Sequence, residues 1–221
     1  MTPDEGRDRP AGFRYGAVLI LTFLILVLQI ALPSADWSRA IALGLESAAL
    51  VVVVATARER AVVRRARTLL VSAVALVLVV LEAVGVLPAV FAYALGGLMG
   101  VVIPFALIGG LVKLIRARGV NAQVVAGALV IYLLVGLAFG WTVGAVAHAS
   151  SGSYFAQGTD GTQSDRVYFS FTTLSTTGYG DFTPATRGGR ALAVVEMLFG
   201  QLYLVTVIGI LVGNLASRRR A

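Results

Sequence analysis

Arg166-Val167-Tyr168-Phe169-Ser170-Phe171-Thr172-Thr173-Leu174-Ser175 runs through Thr176 into Thr177-Gly178-Tyr179-Gly180-Asp181, and the reading of this stretch decides the fold. Arg166 to Thr176 is apolar and rich in hydroxyls, but it is too short to cross a bilayer. At ~1.5 Å per residue such a helix covers roughly half of the hydrocarbon, so it enters a membrane only as a re-entrant segment. The glycines that follow suit a strand of backbone carbonyls turned toward one axis. Aiming successive carbonyls the same way requires alternating backbone conformations, some with positive φ, and glycine takes these without steric cost. Gly178 and Gly180 are placed for it, with Thr176 able to add a hydroxyl oxygen. Tyr179 is read as an outward-turned spacer and Asp181 as a cap at the mouth.

Working outward, apolar runs long enough to span flank this stretch on both sides. With 58% hydrophobic against 13% charged residues the chain falls outside the globular range and reads as all-α integral membrane. Six spans are expected, at Tyr15 to Leu32, Ala40 to Ala57, Leu69 to Val86, Ala89 to Val112, Val124 to Ala147 and Ala191 to Leu215, with the re-entrant helix between the fifth and sixth. The connector Ala149 to Asp165 is rich in Ser, Gly, Gln and Asp and is expected to be a solvated loop. The first apolar core is longer than that of a signal peptide, and Pro33 sits badly beside a cleavage site near Ala35, so it is read as a retained span.

The chain carries a net charge of +7, but its basic residues flank apolar runs and form no nucleic-acid-binding face, so no nucleic-acid partner is expected. Arg7, Arg9, Arg14, Arg58, Arg60, Arg64, Arg65, Arg67, Lys113, Arg116, Arg118, Arg218, Arg219 and Arg220 all fall on one side of a six-span weave. Both termini are therefore expected to be cytoplasmic, in a multi-pass plasma-membrane protein. Contact of these arginines with anionic lipid headgroups is a secondary expectation. With no cysteine and one histidine the chain cannot build thiolate or multi-histidine metal sites by itself, and His148 is read as a solvated residue at a helix end. Neither a Ser/His/Asp set nor a phosphate loop is present, so no enzyme and no cofactor are expected.

From Val124 to Asn214 the sequence resembles the potassium channel superfamily. Val167 to Ser175 is similar to its pore helix, Thr176 to Gly180 to its selectivity filter, Asp181-Phe182-Thr183-Pro184 to its outer-mouth turn, and Gly189-Arg190 with Ala191 to Leu215 to its inner helix. The resemblance implies K+ as the permeant ion, held at Thr176, Thr177, Gly178 and Tyr179, with four chains supplying the ring of oxygens that replaces the ion's water. A homotetrameric pore is thus expected. It places Gly200 at the hinge of the inner helix. Thr177 stands where the family usually has Val or Ile, and Thr172 where some relatives carry an acid that buttresses the filter; both departures bear on filter stability more than on selectivity.

Three regions follow: residues 1–14, a membrane domain over 15–118, and a pore domain over 119–221. The fourth span lacks the regularly spaced arginines of a voltage sensor, with only Lys113, Arg116 and Arg118 past its inner end. Steep voltage gating is therefore not expected, and the first four spans read as a scaffold. Pro104 and the Gly96-x-x-x-Gly100 pair suit a kinked, closely packed helix. No nucleotide-binding motif or coiled coil follows the sixth span, so no gate worked by an attached domain is expected. Glu46 and Glu82 lie within spans and need partners, with Arg39 a candidate. In the sixth span Gln201, Leu204 and Ile208 recur at helical spacing and are expected to line the cavity. Glu196, amid an apolar run, must be paired, protonated or wetted. It is read as a brace to a hydroxyl of Ser170, Thr172, Thr173 or Ser175, or else as a cation-attracting ring in the cavity or the partner of a neighbouring span. A weakly selective cation channel and a non-conducting regulatory subunit are the competing functions.

Overall fold

The computed structural model describes residues 15–31, 41, 43–48, 51, 61–86 and 88–218. The termini, much of the second expected span and Arg39 lie outside the described residues. Helices α1 (Tyr15–Ala31), α2 (43–48), α3 (Ala61–Ala83), α4 (Ala89–Arg118), α5 (Ala122–Ala149), α6 (Gln163–Leu174), α7 (Arg187–Leu202) and α8 (Gly209–Arg218) follow in order, with a π-helical turn, Tyr203–Ile208, joining the last two. Among the described residues there is no strand beyond an isolated bridge between Phe155 and Pro184. The helical segments Val90–Ala117, Ala122–Ala149 and Arg187–Ser217 are long and apolar enough to cross a membrane. Tyr15–Ala31 and Thr68–Glu82 are shorter apolar stretches.

Two spans differ from the expected bounds at their charged ends. Helix α3 begins at Ala61, so Arg64, Arg65 and Arg67 belong to its first turns and not to a connector. Helix α4 likewise runs on to Arg118, past Lys113 and Arg116, before Gly119 turns it off at φ 65°. Arginine, lysine and alanine are good helix formers, and nothing in those stretches breaks the helix.

Helix α5 is the centre of the molecule. It is apolar all round, the pattern of a helix buried on several faces. Val124, Ala128, Ile131 and Leu134 pack with Tyr15, Val18 and Ile25 of α1, with Ile103, Leu107 and Leu111 of α4, and with Val167 of α6. Asn121 caps it, its side chain accepting from the amides of Gln123 and Val124 at 3.0 and 3.2 Å. Small residues set the α4–α5 approach as the glycine pair implied: a Cβ on Gly96 would fall 2.3 Å from the Trp141 ring, and one on Gly100 2.5 Å from Ala138 Cβ and 2.8 Å from its Cα.

The intramembrane acid Glu46 is 2% exposed, and its Oε1 accepts from Gln29 Nε2 at 2.9 Å and Trp141 Nε1 at 2.6 Å. Its partners are thus neutral donors on α1 and α5. Gly100→Val should separate α4 from α5 and cost about 1–3 kcal/mol, the range for overpacking a tight contact. Thermal unfolding in detergent checks this, with Gly109→Val, where a Cβ meets nothing within 4 Å, expected to leave the midpoint unchanged.

Candidate ion pathway and filter

Helix α6 starts with a capping box. Thr162 Oγ1 accepts from the Asp165 amide at 3.2 Å, and the Asp165 carboxylate accepts from the Thr162 amide at 2.8 Å. The helix is 12 residues long and begins three residues earlier than the apolar pattern suggested, because this box supplies its start. It is held from outside by Ser164, whose hydroxyl donates to the Ile30 carbonyl at 2.7 Å.

The loop before α6 is less solvated than its composition implied. Tyr154 and Phe155 are buried, with Phe155 against Phe169 and Phe182 at ring-centroid distances of 5.2 and 4.9 Å. Backbone bonds from Ala156 N to Thr183 O and from Ala185 N to Tyr154 O, both 2.8 Å, fasten the loop to the turn after residue 181. Two adjacent aromatics in a polar stretch were the signal for this. The Tyr154 phenol is pushed up to about 12 by burial, with the nearby Glu196 carboxyl adding to it.

Past Leu174 the chain turns back on α6. The amides of Ser175, Thr176 and Gly178 donate to the carbonyls of Phe171, Thr173 and Thr172 at 3.0, 2.9 and 3.0 Å. φ is positive at Thr176 (61°), Gly178 (55°) and Gly180 (83°), and at neither Thr177 nor Tyr179. The sign thus alternates residue by residue. The two glycines behave as their chemistry implied, whereas Thr176 takes the left-handed region at a cost that sequence reasoning missed. Among the described residues no hydrogen bond ends on the carbonyl oxygens of Thr176, Thr177, Gly178 or Tyr179. The amides of Thr176 and Gly178 are spent inward, and the carbonyls are left over.

The side chains around this strand are placed as follows. Tyr179 is 72% exposed in the single chain and lies parallel to Tyr168, with centroids 6.4 Å apart. The Tyr168 phenol hydrogen-bonds the Asp181 carboxylate. The Thr177 hydroxyl meets Ser175 Oγ at 2.9 Å. Thr172 donates to Phe169 O at 2.9 Å, so its hydroxyl is used within its own helix.

Helix α7 abuts the end of α6. A Cβ on Gly200 would fall 2.0 Å from the Leu174 carbonyl oxygen, so only glycine permits the approach. Glu196, one turn earlier, is fully buried and bonded to Ser170. Gln201 is exposed, while Leu204 and Ile208 are half-buried within or at the end of the π-helical turn. A π turn inserts about one residue into the helical register, so these three do not keep the single face that regular spacing assigned them. Sequence reasoning also missed Tyr203, whose hydroxyl donates to Ala128 O at 2.7 Å and ties this turn to α5. His148 is exposed, with Nδ1 2.9 Å from the Gly144 carbonyl.

Residues 127–217 match a family model described as "Ion channel". A "Probable potassium channel protein 2" of Methanocaldococcus jannaschii is 51% identical over 45 residues, 19% of this chain and 13% of that protein. Over this stretch the chain is similar to ion channels, and it spans well under two thirds of the length of the potassium channel protein it matches. No solved structure matches the chain. The matched stretch takes in most of α5, all of α6, residues 176–180, α7 and most of α8.

Because α7 presses on the Leu174 carbonyl of α6 at Gly200, Gly200→Ala should lower the unfolding midpoint of the purified protein by several degrees. Gly213→Ala, where a Cβ meets nothing within 4 Å, should leave it unchanged or slightly raised. Differential scanning fluorimetry compares the two.

Proposed function

We propose that this channel is a potassium-selective pore formed by four copies of the chain, conducting K+ passively through Thr176, Thr177, Gly178, Tyr179 and Gly180. The alternation of φ along residues 176–180 carries this reading, since it leaves a strand of unpaired carbonyls at the end of a half-length helix. A dehydrated K+ needs a ring of such oxygens, and one chain supplies one strand, so fourfold closure is required. The negative end of each α6 dipole then favours a cation below the filter. Leu198, Leu202 and Val205 of the inner helix are exposed in the single chain, as residues that meet lipid or other copies would be.

In this reading the chain crosses the plasma membrane six times, with both termini in the cytoplasm and the filter mouth on the outer side, which the one-sided run of basic residues supports. Gly200 serves as hinge, the exposed Gln201 just ahead of the π turn faces the cavity, Asp181 shapes the outer mouth, and Glu196 braces the filter. Thr172 contributes to that brace through its carbonyl, which holds the Gly178 amide. The first four spans act as a collar, and steep voltage gating is absent. Anionic headgroups gather at the cytoplasmic arginines. The Thr177 hydroxyl behind the filter, bonded to Ser175, is the observation that favours a second reading, a weakly selective cation channel.

Reconstituted protein should give a reversal potential in mixed K+ and Na+ that follows K+. Gly178→Ala, which strains a residue at φ 55°, should collapse the permeability ratio toward one. An unselective wild type would favour the second reading, and the absence of any flux would favour a regulatory subunit. Native mass spectrometry should find four copies per particle; a population ending at dimers would exclude the fourfold ring.

A further inference from the structure

Ser170 stands where three helices meet. Its Oγ lies 2.6 Å from the Gly136 carbonyl oxygen of α5 and within hydrogen-bond reach of Glu196 Oε1 on α7. Both side chains are fully buried. The contact contains three oxygens in a row and therefore needs two hydrogens. A serine hydroxyl carries one, and a backbone carbonyl carries none. With Glu196 ionised, one of the two approaches would set oxygen against oxygen at hydrogen-bond distance with nothing between them. The second hydrogen must therefore sit on Glu196.

The surroundings agree with this count. Glu196 Oε2 is buried and has no hydrogen-bond partner among the described residues, a costly place for an anion and a milder one for the carbonyl oxygen of a neutral acid. The ionisable groups acting electrostatically with Glu196 are the phenols of Tyr132 on α5 and Tyr154 in the loop before α6. On α6 the facing group is Ser170 itself. The charges of that helix are engaged elsewhere, Asp165 in the N-cap and Arg166 through Nε to the Asp160 carbonyl; Tyr168 turns to Asp181. On α5, His148 bonds the Gly144 carbonyl, and in the π turn the Tyr203 hydroxyl bonds Ala128. At the far end of α7, Arg190 donates from Nε to the Pro184 carbonyl, and Arg187 lies in the first turn. No cation among these reaches the carboxyl.

We propose that Glu196 works as an uncharged acid whose proton orders a relay, Glu196 to Ser170 to the Gly136 carbonyl, and that loss of this proton to solvent at alkaline pH releases the inner helix from the pore helix and closes the filter. The functional half rests on the channel reading above, whereas the protonation half does not. When the proton leaves, the Ser170 hydrogen turns to the new carboxylate, which binds it more strongly than a neutral carbonyl does. The Gly136 carbonyl then faces a bare oxygen, and the buried anion draws water between α6 and α7. That wedge opens one turn from Gly200, where α7 presses on the carbonyl of Leu174, the last residue of α6 before the filter. Ser170 and Gly136 thereby become positioning residues for the pore.

The test combines infrared spectroscopy on the purified full chain with single-channel recording in liposomes. At neutral pH the wild type should show a protonated-carboxyl C=O stretch that Glu196→Gln removes and that disappears reversibly on alkalinisation. Ser170→Ala should retain this band and shift its frequency, because the acceptor of the acid's proton is gone. Open probability of the wild type should fall at least tenfold across the pH range in which the band is lost. Glu196→Gln, whose amide donates in the same place, should stay open throughout. A neutral-pH spectrum in which Glu196→Gln removes no such band, or a band that Ser170→Ala leaves unmoved, would overturn the relay. Parallel pH dependence in wild type and Glu196→Gln would overturn the gating role. A chain that conducts nothing would refute the channel reading, while the infrared band would still decide whether Glu196 carries its proton.

Discussion

A twelve-residue helix set between two helices of membrane-spanning length leaves polar backbone at its end to be satisfied, and much of the surrounding structure follows from that constraint. The twelve residues of α6 end at Leu174. The next amides turn back onto the carbonyls of Phe171, Thr172 and Thr173, which spends donors and leaves acceptors. A run of exposed carbonyls without donors is unstable in hydrocarbon unless something positive replaces water around it.

Holding that arrangement requires close packing from two sides. Helix α5 comes near enough that a Cβ on Gly136 would fall 2.6 Å from the Phe171 ring, and one on Gly140 would fall 3.0 to 3.1 Å from Val167. Helix α7 meets the last α6 carbonyl at Gly200 and the middle of α6 at Glu196. One face of α6 is thus set by glycines and the other by a glycine and an acid, so a change of a few tenths of an ångström on either side moves the strand that follows.

Much of this was legible in the residues because the chemistry there is local. Half-span length, positive φ at Gly178 and Gly180, and the need of Glu196 for a hydroxyl partner each follow from one residue type in one setting. What escaped depended on tertiary geometry. Four hydroxyls of α6 and its C-cap were candidates for Glu196, and only the rotation of α6 against α7 selects Ser170. The left-handed Thr176 is forced by the alternation of the strand, against its own preference. The π turn at Tyr203–Ile208 has no composition that marks it, since it arises where the Tyr203 hydroxyl is tied to Ala128 while Gly200 is pressed on Leu174. Tyr154 and Phe155 sit in a stretch whose average polarity hid two anchors.

The helices ahead of the pore unit are bound to it by specific contacts, and this bears on what they do. A voltage-sensing helix must slide or rotate relative to its neighbours, and the work available is ~2.3 kcal/mol per charge per 100 mV. Helix α4 is keyed into α5 at Gly96 against Trp141 and at Gly100 against Ala138, approaches that any translation would turn into clashes. Trp141 in turn donates to Glu46, which also holds Gln29 of α1, so one buried acid joins α1, α2 and the outer helix. Lys113 and Arg116 are exposed near the end of α4, beyond its most apolar stretch, where a field would find little lever. Interlocked glycines and a shared acid thus hold α5 in place against α1, α2 and α4. Helix α7 is held less extensively, since it is followed by a π turn and meets α6 at two points, Gly200 against Leu174 and Glu196 against Ser170.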